Sequence, residues 1–172
     1  MKNYEKINCN PPIIDSTSKI LILGSMPSVK SIEKREYYAN PLNRFWKVIF
    51  SLFDEELTLD YDKKIDFLHK NHIALFDVIN SCLRNGSLDL NIREYELNDI
   101  LGLLKSYPAI SLIVLNGSTA AKLFEKNFKD KVSIPYIKLP STSPIPRKDI
   151  RNFKDLYNRW IVLKNYIKKQ AN

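Results

Sequence analysis

The chain has 172 residues, 44% of them hydrophobic, which suits a single domain over residues 1–172 with its core at about residues 18–169. Lys and Arg total 27 against 19 Asp and Glu, and the net charge of +8 favours a polyanionic partner such as DNA. No apolar run approaches the roughly 20 residues that a membrane span needs, and no signal-peptide core is visible, so we expect a cytoplasmic protein with no membrane partner.

Short apolar runs alternate with segments of helical pattern along the chain. In chain order the predicted elements are strand 19–23, helices 43–53 and 62–71, strand 73–78, helix 98–106, strand 111–115, helix 118–127, strand 136–139 and helix 152–169. Asn98 is the expected N-cap of the third helix, which ends before Pro108. The alternation predicts an α/β fold, a three-layer α/β/α sandwich with a central four-stranded parallel sheet.

In such a sheet the ligand crevice lies beyond the carboxyl ends of the strands. The loops at these ends begin at Gly24, Asp77, Asn116 and Pro140, so function is expected there. Asp77 can order a pocket or hold a water molecule, or it can act as a structural cap. Asn116 and Gly117 most simply turn the third strand into the following helix, near the same crevice.

Cysteine and histidine are too sparse for a metal centre. Cys9 and Cys82 cannot make a four-cysteine zinc or iron–sulfur site, and we expect two free thiols. His69 and His72 lie three residues apart on a probable helix, but two histidines without a carboxylate partner rarely bind a metal. We therefore expect neither a metal nor a cofactor.

Three segments at the predicted crevice have unusual chemistry. GSMPS at 24–28 follows the first strand, YYANPLNRFW at 37–46 is an aromatic loop that enters a helix, and LPSTSP at 139–144 follows the last strand. Together they resemble the uracil-DNA glycosylase superfamily, within it the hypoxanthine-DNA glycosylase branch, and more distantly the mismatch-specific uracil/thymine glycosylases. The resemblance covers about residues 18–165. Further segments that agree with that branch are 73–78, 81–89 and 115–118.

The resemblance implies that a target base is flipped out of the duplex into a pocket. By motif position Tyr38 stacks on this base, with Tyr37 as the alternative and a core tyrosine as the structural interpretation. Asn43 falls on the base-contacting asparagine, whose carboxamide can donate to O6 of hypoxanthine and accept from N1–H. Uracil offers the same pair through O4 and N3–H, and Asn43 also suits a helix N-cap. The other base-binding candidates are Gly24, Met26, Asp77 and Asn116.

The loop after the last strand resembles the family's second motif, which presses into the minor groove. Ser141 and Ser143 offer hydroxyl and backbone N–H groups to phosphates. Ile145 falls near the wedge residue that fills the gap left by the flipped base. The remaining DNA-contact candidates are Ser28, Lys30, Thr142, Arg147 and Lys148, although a solvated basic loop is the simpler interpretation of the last two.

The chain departs from the better-known family pattern in both motifs. Met26 stands where many members carry an Asp or Asn that positions the attacking water, and Ser141 and Thr142 stand where some carry a His. Catalysis must then rest on positioning and electrostatic stabilisation. We expect Asn43 to polarise the base through O6 and Ser25 to orient the water. No lysine is obviously placed as a Schiff-base nucleophile, so we expect no lyase activity.

The resulting hypothesis is a monofunctional DNA glycosylase that hydrolytically excises a deaminated base, hypoxanthine first, in base-excision repair. It acts as a monomer on damaged double-stranded DNA, near the nucleoid if the source is prokaryotic. One alternative is a uracil or thymine mismatch glycosylase, and another, suggested by Met26, is a non-catalytic DNA-damage binding protein. A Rossmann-type nucleotide binder is disfavoured because no Gly-x-Gly-x-x-Gly follows any strand.

Overall fold

A central parallel sheet and a smaller antiparallel sheet organise the computed structural model of the protein, which describes residues 3–170. The strands are β1 Glu5–Asn8, β2 Ile20–Gly24, β3 Ile73–Asp77, β4 Ile79–Arg84, β5 Arg93–Leu97, β6 Leu112–Asn116 and β7 Tyr136–Leu139. The helices are α1 Val29–Lys34, α2 Phe45–Leu52, α3 Tyr61–Lys70, α4 Ile100–Ser106, α5 Ser118–Asn127, α6 Phe153–Trp160 and α7 Leu163–Gln170. Two 3-10 turns cover Asp89–Asn91 and Lys129–Lys131.

The central sheet has the strand order β3-β2-β6-β7, and all its pairings are parallel. Strands β2, β3 and β6 are buried along their whole length, which explains why they are continuous apolar runs without alternation. Each of these strands coincides with a predicted strand to within a residue or two. The predicted four-stranded parallel sheet is therefore confirmed.

Helices cover both faces of this sheet. On one face Ile20 and Ile22 of β2 belong to a cluster that includes Phe45 of α2, Leu68 of α3 and Trp160 of α6. On the other face a second cluster joins Leu21 and Leu23 of β2 to buried residues of α4 and α5. Successive side chains of a strand point to opposite faces, so one strand serves both clusters. The three-layer α/β/α sandwich is thus confirmed.

The second sheet was not anticipated. Its order is β1-β4-β5, with antiparallel pairing throughout, and β4 follows β3 after the single residue Val78. Strands β1 and β5 are largely exposed and carry charged residues, so they lack the apolar run or the alternation that reveals a strand in sequence. Helix α1 was missed as well, because it has only six residues.

The starts of α2 and α4 differ from the prediction. Helix α2 begins at Phe45 rather than at Asn43. The N-cap of α4 is Asp99, whose side chain accepts from the N–H of Gly102, so the prediction of Asn98 as the cap is wrong. Asn98 instead donates its Nδ2 to the carbonyl of Asp77 at 2.8 Å.

The predicted last helix is two helices, α6 and α7. At the break the N–H of Lys164 bonds the carbonyl of Ile161, which is the tighter i to i−3 spacing of a 3-10 turn. This spacing brings both Trp160 and Leu163 into the core, while Ile161 and Val162 between them stay exposed. Within residues 3–170, no helix is both long and apolar enough to span a membrane.

Trp160 offers a test of how α6 supports the loop after β7. Its Nε1 donates to the carbonyl of Pro140 at 2.9 Å, and its side chain is fully buried. Trp160→Phe should lower the free energy of unfolding by about 2 kcal/mol, because it opens a cavity and leaves a buried carbonyl without its donor. Urea denaturation measures this loss, and the exposed Val162→Ala serves as the control. Equal stability of the two variants would contradict this account.

Candidate functional site

The loops after β2, β3, β6 and β7 meet at the carboxyl edge of the central sheet. Gly24, the last residue of β2, pairs with Asp77, the last residue of β3. A Cβ atom at Gly24 would lie 2.6 Å from Oδ1 of Asp77 and 3.3 Å from the hydroxyl of Tyr38. The contact with Asp77 is too short for any side chain, so the glycine is what lets these groups approach. Three predicted base-binding residues therefore do come together.

Tyr38 is built into this edge as a rigid aromatic platform. Its backbone is left-handed, with φ of 52°, and its ring stacks on Phe45 with centroids 4.0 Å apart and planes inclined by 20°. Phe45 covers one face of the ring, so a base can stack only on the opposite face. Burial, and next the charge of Asp77, raise the pKa of the Tyr38 hydroxyl, which therefore stays protonated.

Tyr37, the alternative stacking residue, has a structural role. Its side chain is buried, and its hydroxyl donates to the carbonyl of Pro11 at 3.1 Å. The indole Nε1 of Trp46 donates to the backbone carbonyl of Tyr37 at 2.9 Å. These contacts hold Tyr37 in the core next to α2, so the structure favours Tyr38 as the platform.

Asn116 joins the loops of the first and second motifs. Its Nδ2 donates to the hydroxyl of Tyr38 and to Oγ1 of Thr142, both at 3.1 Å, and its Oδ1 accepts from the N–H of Thr142 at 3.1 Å. Both amide hydrogens are therefore engaged within the protein. Asn116 lies at the predicted pocket edge; these bonds make its amide nitrogen a support for Tyr38 and leave only the second lone pair of Oδ1 for a base.

Thr142 is a second support. Its side chain is 1% exposed, it is bonded to Asn116, and its carbonyl accepts from the N–H of Arg44 at 3.0 Å. The prediction that Thr142 contacts DNA is therefore wrong for its side chain, because burial removes it from the surface. Nη2 of Arg44 also donates to the carbonyl of Ser143 at 2.7 Å. Sequence reasoning missed Arg44, although its place inside the aromatic motif was the available signal.

Asn43 lies just before α2 and is half-buried. Its Oδ1 accepts from the N–H of Phe45 at 2.9 Å, although by backbone geometry the N-cap position is Arg44. The capping interpretation of Asn43 is thus partly realised. The same bond fixes which amide atom is which, because only the oxygen can accept from Phe45. Its Nδ2 consequently points elsewhere as a donor, and the oxygen retains a second lone pair.

Among the acids at this edge, Asp77 has the pKa that is displaced furthest from its ordinary value. It is 4% exposed, and its Oδ2 has no hydrogen-bond partner among the described residues. Burial, and next the negative charge of Asp89, raise the pKa of Asp77 to about 7, against a smaller opposing effect of Arg84. A carboxyl group of this kind donates a hydrogen bond when neutral and only accepts when ionised.

Met26 does not line the pocket. Its side chain is buried against Ile79 and Cys82 of β4, between the loop after β2 and the second sheet. The prediction that Met26 binds the base is therefore wrong for its side chain. An apolar residue suits this position because it seals the second sheet, which the sequence did not reveal, against the loop.

A polar cluster next to Met26 contains Ser25, which was predicted to orient the water, together with Asp89 and Arg84, which were not predicted as site residues. Oγ of Ser25 lies 2.9 Å from both carboxylate oxygens of Asp89. Buried Arg84 donates its Nε to the carbonyl of Gly86 at 2.8 Å and its Nη2 to the carbonyl of Pro27. The guanidinium group therefore ties the loop after β2 to the loop that carries Asp89.

The predicted DNA contacts are distributed over two loops. Ile145 is 50% exposed, as a wedge requires, and its N–H donates to Oγ of Ser143 at 3.4 Å. Oγ of Ser141 accepts from the N–H of Ser143 at 3.1 Å, which stiffens the loop. Arg147 pairs with Asp149 through two contacts of 3.1 Å. This exposed pair is weak enough to exchange for a phosphate.

The other predicted DNA contacts differ in accessibility. Lys148 is exposed beside Arg147, and Lys30 is exposed on α1. Ser28 is the N-cap of α1 and accepts from the N–H of Ser31 at 3.2 Å, so its hydroxyl already has a structural partner.

A basic groove of about 340 Å³ lies beside the loop after β7. Four cationic side chains line it, and two acids partly compensate them, since Lys138 pairs with Glu125 and Arg159 with Asp149. Sequence reasoning missed the groove, because its cations come from separate elements. They are Lys122, Lys138, Arg147 and Arg159.

The two histidines serve separate contacts rather than one centre. Nδ1 of His69 lies 2.8 Å from Oδ2 of Asp15, and Nδ1 of His72 lies 3.0 Å from Oγ1 of Thr17. Between residues 3 and 170, no group of at least three His, Cys, Asp or Glu side chains is placed to hold a metal ion.

The pKa of Asp77 predicts a pH-dependent stability. Because the pKa is higher in the folded state than its ordinary value of 3.8, the native state loses stability as pH rises from about 4 to about 7. Asp77→Asn cannot ionise, so over this range wild type should lose up to roughly 4 kcal/mol relative to the variant. Urea denaturation across the pH series measures the difference, with the exposed Asp66→Asn as control. A difference independent of pH would contradict the shift.

Comparison with known proteins agrees with this geometry. The family model described as the uracil DNA glycosylase superfamily matches residues 11–163. A hypoxanthine DNA glycosylase of Methanosarcina acetivorans is 38% identical over 147 residues, which span 83% of this chain and 89% of that protein. A hypoxanthine DNA glycosylase of Methanosarcina barkeri is 36% identical over 113 residues, which span 65% of this chain and 72% of that protein.

The fold agrees as well. A solution NMR structure described as a uracil DNA glycosylase of Methanosarcina acetivorans has a TM-score of 0.80 and 33% sequence identity, and the match covers 95% of this chain and 99% of that one. The resemblance drawn from the three motifs is thereby confirmed. The chain belongs to the uracil DNA glycosylase superfamily.

Proposed function

We propose that this DNA glycosylase excises hypoxanthine from deoxyinosine in double-stranded DNA and leaves an abasic site for base-excision repair. The observation that carries the proposal is the arrangement of Tyr38, whose ring rests on Phe45 and whose hydroxyl is bonded to Asn116 beside Gly24 and Asp77. A held aromatic face next to buried polar groups is what a flipped base requires. Two relatives named hypoxanthine DNA glycosylase support this choice of base.

Asn43 is the proposed contact to the leaving base. Its Nδ2 donates to O6 of hypoxanthine, and its Oδ1 uses its second lone pair for N1–H while it caps Phe45. As the C1′–N9 bond breaks, the bonding electrons move into the purine ring and raise the negative charge on O6. The hydrogen bond from Nδ2 therefore strengthens in the transition state, which accelerates the reaction.

Asp77 is the second proposed base contact. Its unpartnered Oδ2 is buried at the same edge, one strand away from the loop that begins at Gly24. In its neutral form it can donate to an acceptor of the purine, and in its ionised form it can only accept. Water then attacks C1′ of the oxocarbenium-like sugar, and no covalent enzyme intermediate is required.

Uracil excision is the second candidate. Asn43 offers the same donor and acceptor to O4 and N3–H of uracil as to O6 and N1–H of hypoxanthine. The two candidates therefore differ in whether the pocket has room for a purine.

We also propose that the protein acts as a monomer, and its cytoplasmic location stays a prediction of the sequence.

The proposal predicts base release from duplex oligonucleotides that carry one deoxyinosine, uracil, xanthine or G·T mismatch. Alkali-labile sites should form at deoxyinosine. Asn43→Asp should lower the single-turnover rate by at least about 100-fold, because it keeps the oxygen that caps Phe45 and loses the Nδ2 donor. Asn127→Ala, at the end of α5 and away from the site, is the matched control.

Each outcome of this assay decides between the candidates. Uracil release without hypoxanthine release would replace the main proposal by the second candidate. Tight binding of damaged duplexes without any cleavage would instead indicate a non-catalytic damage-binding protein. Full activity of Asn43→Asp would remove Asn43 from the mechanism while leaving the substrate assignment intact.

Tyr38 allows the ring and the hydroxyl to be tested separately. Tyr38→Phe keeps the ring on Phe45 and loses the bond from Asn116, whereas Tyr38→Leu loses the stacking face. Stacking on a base contributes about 1–3 kcal/mol, so Tyr38→Leu should lower single-turnover kcat/KM by about 5- to 150-fold. Tyr38→Phe should lose less than Tyr38→Leu. The reverse order would mean that the hydroxyl, not the ring, carries the role of Tyr38.

A further inference from the structure

The loop after β2 has no polar side chain at Met26, yet a polar group stands one residue earlier. Ser25 is half-buried and follows Gly24, which faces Asp77 and the hydroxyl of Tyr38. Its Oγ lies 2.9 Å from both carboxylate oxygens of Asp89. A carboxylate can only accept, so the hydroxyl proton of Ser25 points to Asp89. The lone pairs of Oγ are consequently directed away from Asp89.

Asp89 is held firmly for this contact. It opens the 3-10 turn Asp89–Asn91, and Nδ2 of Asn91 donates to the carbonyl of Asn85 at 3.0 Å. Thr119, near the start of α5, lies beside the Asp89 carboxyl group and lowers its pKa, against the larger opposite effect of burial. The bonded partner of the carboxylate is Ser25 of the loop after β2.

Arg84 fixes the distance between these loops. Its guanidinium group is buried and bonds the carbonyls of Pro27 and Gly86, one on each loop. In addition, the N–H of Val29 donates to Oγ of Ser87 at 3.0 Å. The contact of Ser25 with Asp89 is therefore part of a braced structure rather than a chance meeting of surface groups.

We propose that Asp89 is a positioning residue that acts through Ser25 to orient the water that attacks C1′. The inference rests on the proposed glycosylase function and supplies the group that Met26 does not. With its proton committed to Asp89, Oγ of Ser25 accepts a hydrogen bond from the water, which turns the water oxygen towards the sugar. Ser25 contacts the water, and Asp89 keeps Ser25 in the accepting orientation.

The step balances with the groups that are present. The C1′–N9 bond breaks and its electron pair leaves with the purine, while the water oxygen forms the new C1′–O bond. The proton lost by the water passes to Oγ of Ser25, as the Ser25 proton passes to the Asp89 carboxylate. Asp89 ends neutral and the purine leaves as an anion, which solvent protonates. Burial raises the pKa of Asp89, so its carboxylate takes up a proton more readily than an exposed one.

A double-mutant cycle in the full-length protein tests the inference. Single-turnover release of hypoxanthine from a deoxyinosine duplex is measured for wild type, Ser25→Ala, Asp89→Asn and the double variant. Each single variant should lose about 100-fold in rate, as expected for loss of a proton acceptor. Because Asp89 acts through Ser25, the double variant should be within about twofold of the slower single variant.

Binding separates positioning from a structural role. A duplex with 2′-fluoro-2′-deoxyinosine resists cleavage, because the fluorine disfavours the oxocarbenium-like sugar, and it reports binding alone. Its Kd should be unchanged in both single variants. Leu90→Ala changes an exposed side chain in the same turn without touching Ser25, and it should keep the wild-type rate. If Asp89→Asn fails to fold, the same cycle is run with Asp89→Glu, which displaces the carboxylate. In the Ser25→Ala background, Asp89→Glu should cause no further loss of rate.

The outcomes decide the inference separately from the proposed function. A wild-type protein that releases no hypoxanthine contradicts the proposed function itself. If the wild type is active, three results would each overturn the role of Asp89. Asp89→Asn could be fully active, the losses could multiply in the double variant, or a weakened Kd could account for the lost rate. Non-additive losses in rate at constant Kd support it.

Discussion

The amide of Asn116 is the interaction on which the site depends. Placed at the end of β6 by the central sheet, it bonds the hydroxyl of Tyr38 and both the hydroxyl and the N–H of Thr142. These bonds are buried or partly buried, so they are not exchanged cheaply for water. They join the loop that carries Tyr38 to the loop that carries Thr142, about 100 residues further along the chain, so that both loops form one side of the site. Arg44 doubles the link through the carbonyls of Thr142 and Ser143.

The carboxyl groups of Asp77 and Asp89 and the guanidinium group of Arg84 determine the chemistry of this site. The negative charge of Asp89 disfavours the ionisation of Asp77, and Arg84 offsets only part of this effect. Such a cluster costs stability, and it is held in place because the guanidinium group braces two loops by their carbonyls. A protein optimised only for stability would replace these acids by apolar groups. Asp77 lies beside Gly24, where no side chain fits, and buried acids with shifted pKa values are concentrated in catalytic pockets.

The basic groove beside the loop after β7 is assembled differently from the pocket. Its cations come from α5, β7, the following loop and α6, and three of them pair with two acids at the surface. Exposed pairs of this kind contribute little to stability and are readily exchanged for phosphates. Part of the positive charge of the chain is thereby concentrated where these elements meet. Ile145 projects from the same loop as a half-exposed apolar side chain.

The sequence by itself determined the four strands of the parallel sheet, the α/β sandwich and the edge where function lies, because burial on both faces forces continuous apolar runs in β2, β3 and β6. It also determined the family, through short motifs at that edge. The second sheet stayed hidden, since β1 and β5 are exposed and carry no such run. Which side chain does what was decided only by tertiary structure. Met26 packs against β4, and Thr142 is buried. The amide of Asn116 bonds groups within the protein, and Asp89 bonds Ser25, which lies 64 residues away in the chain. These roles depend on contacts between distant segments, and local sequence pattern does not encode them.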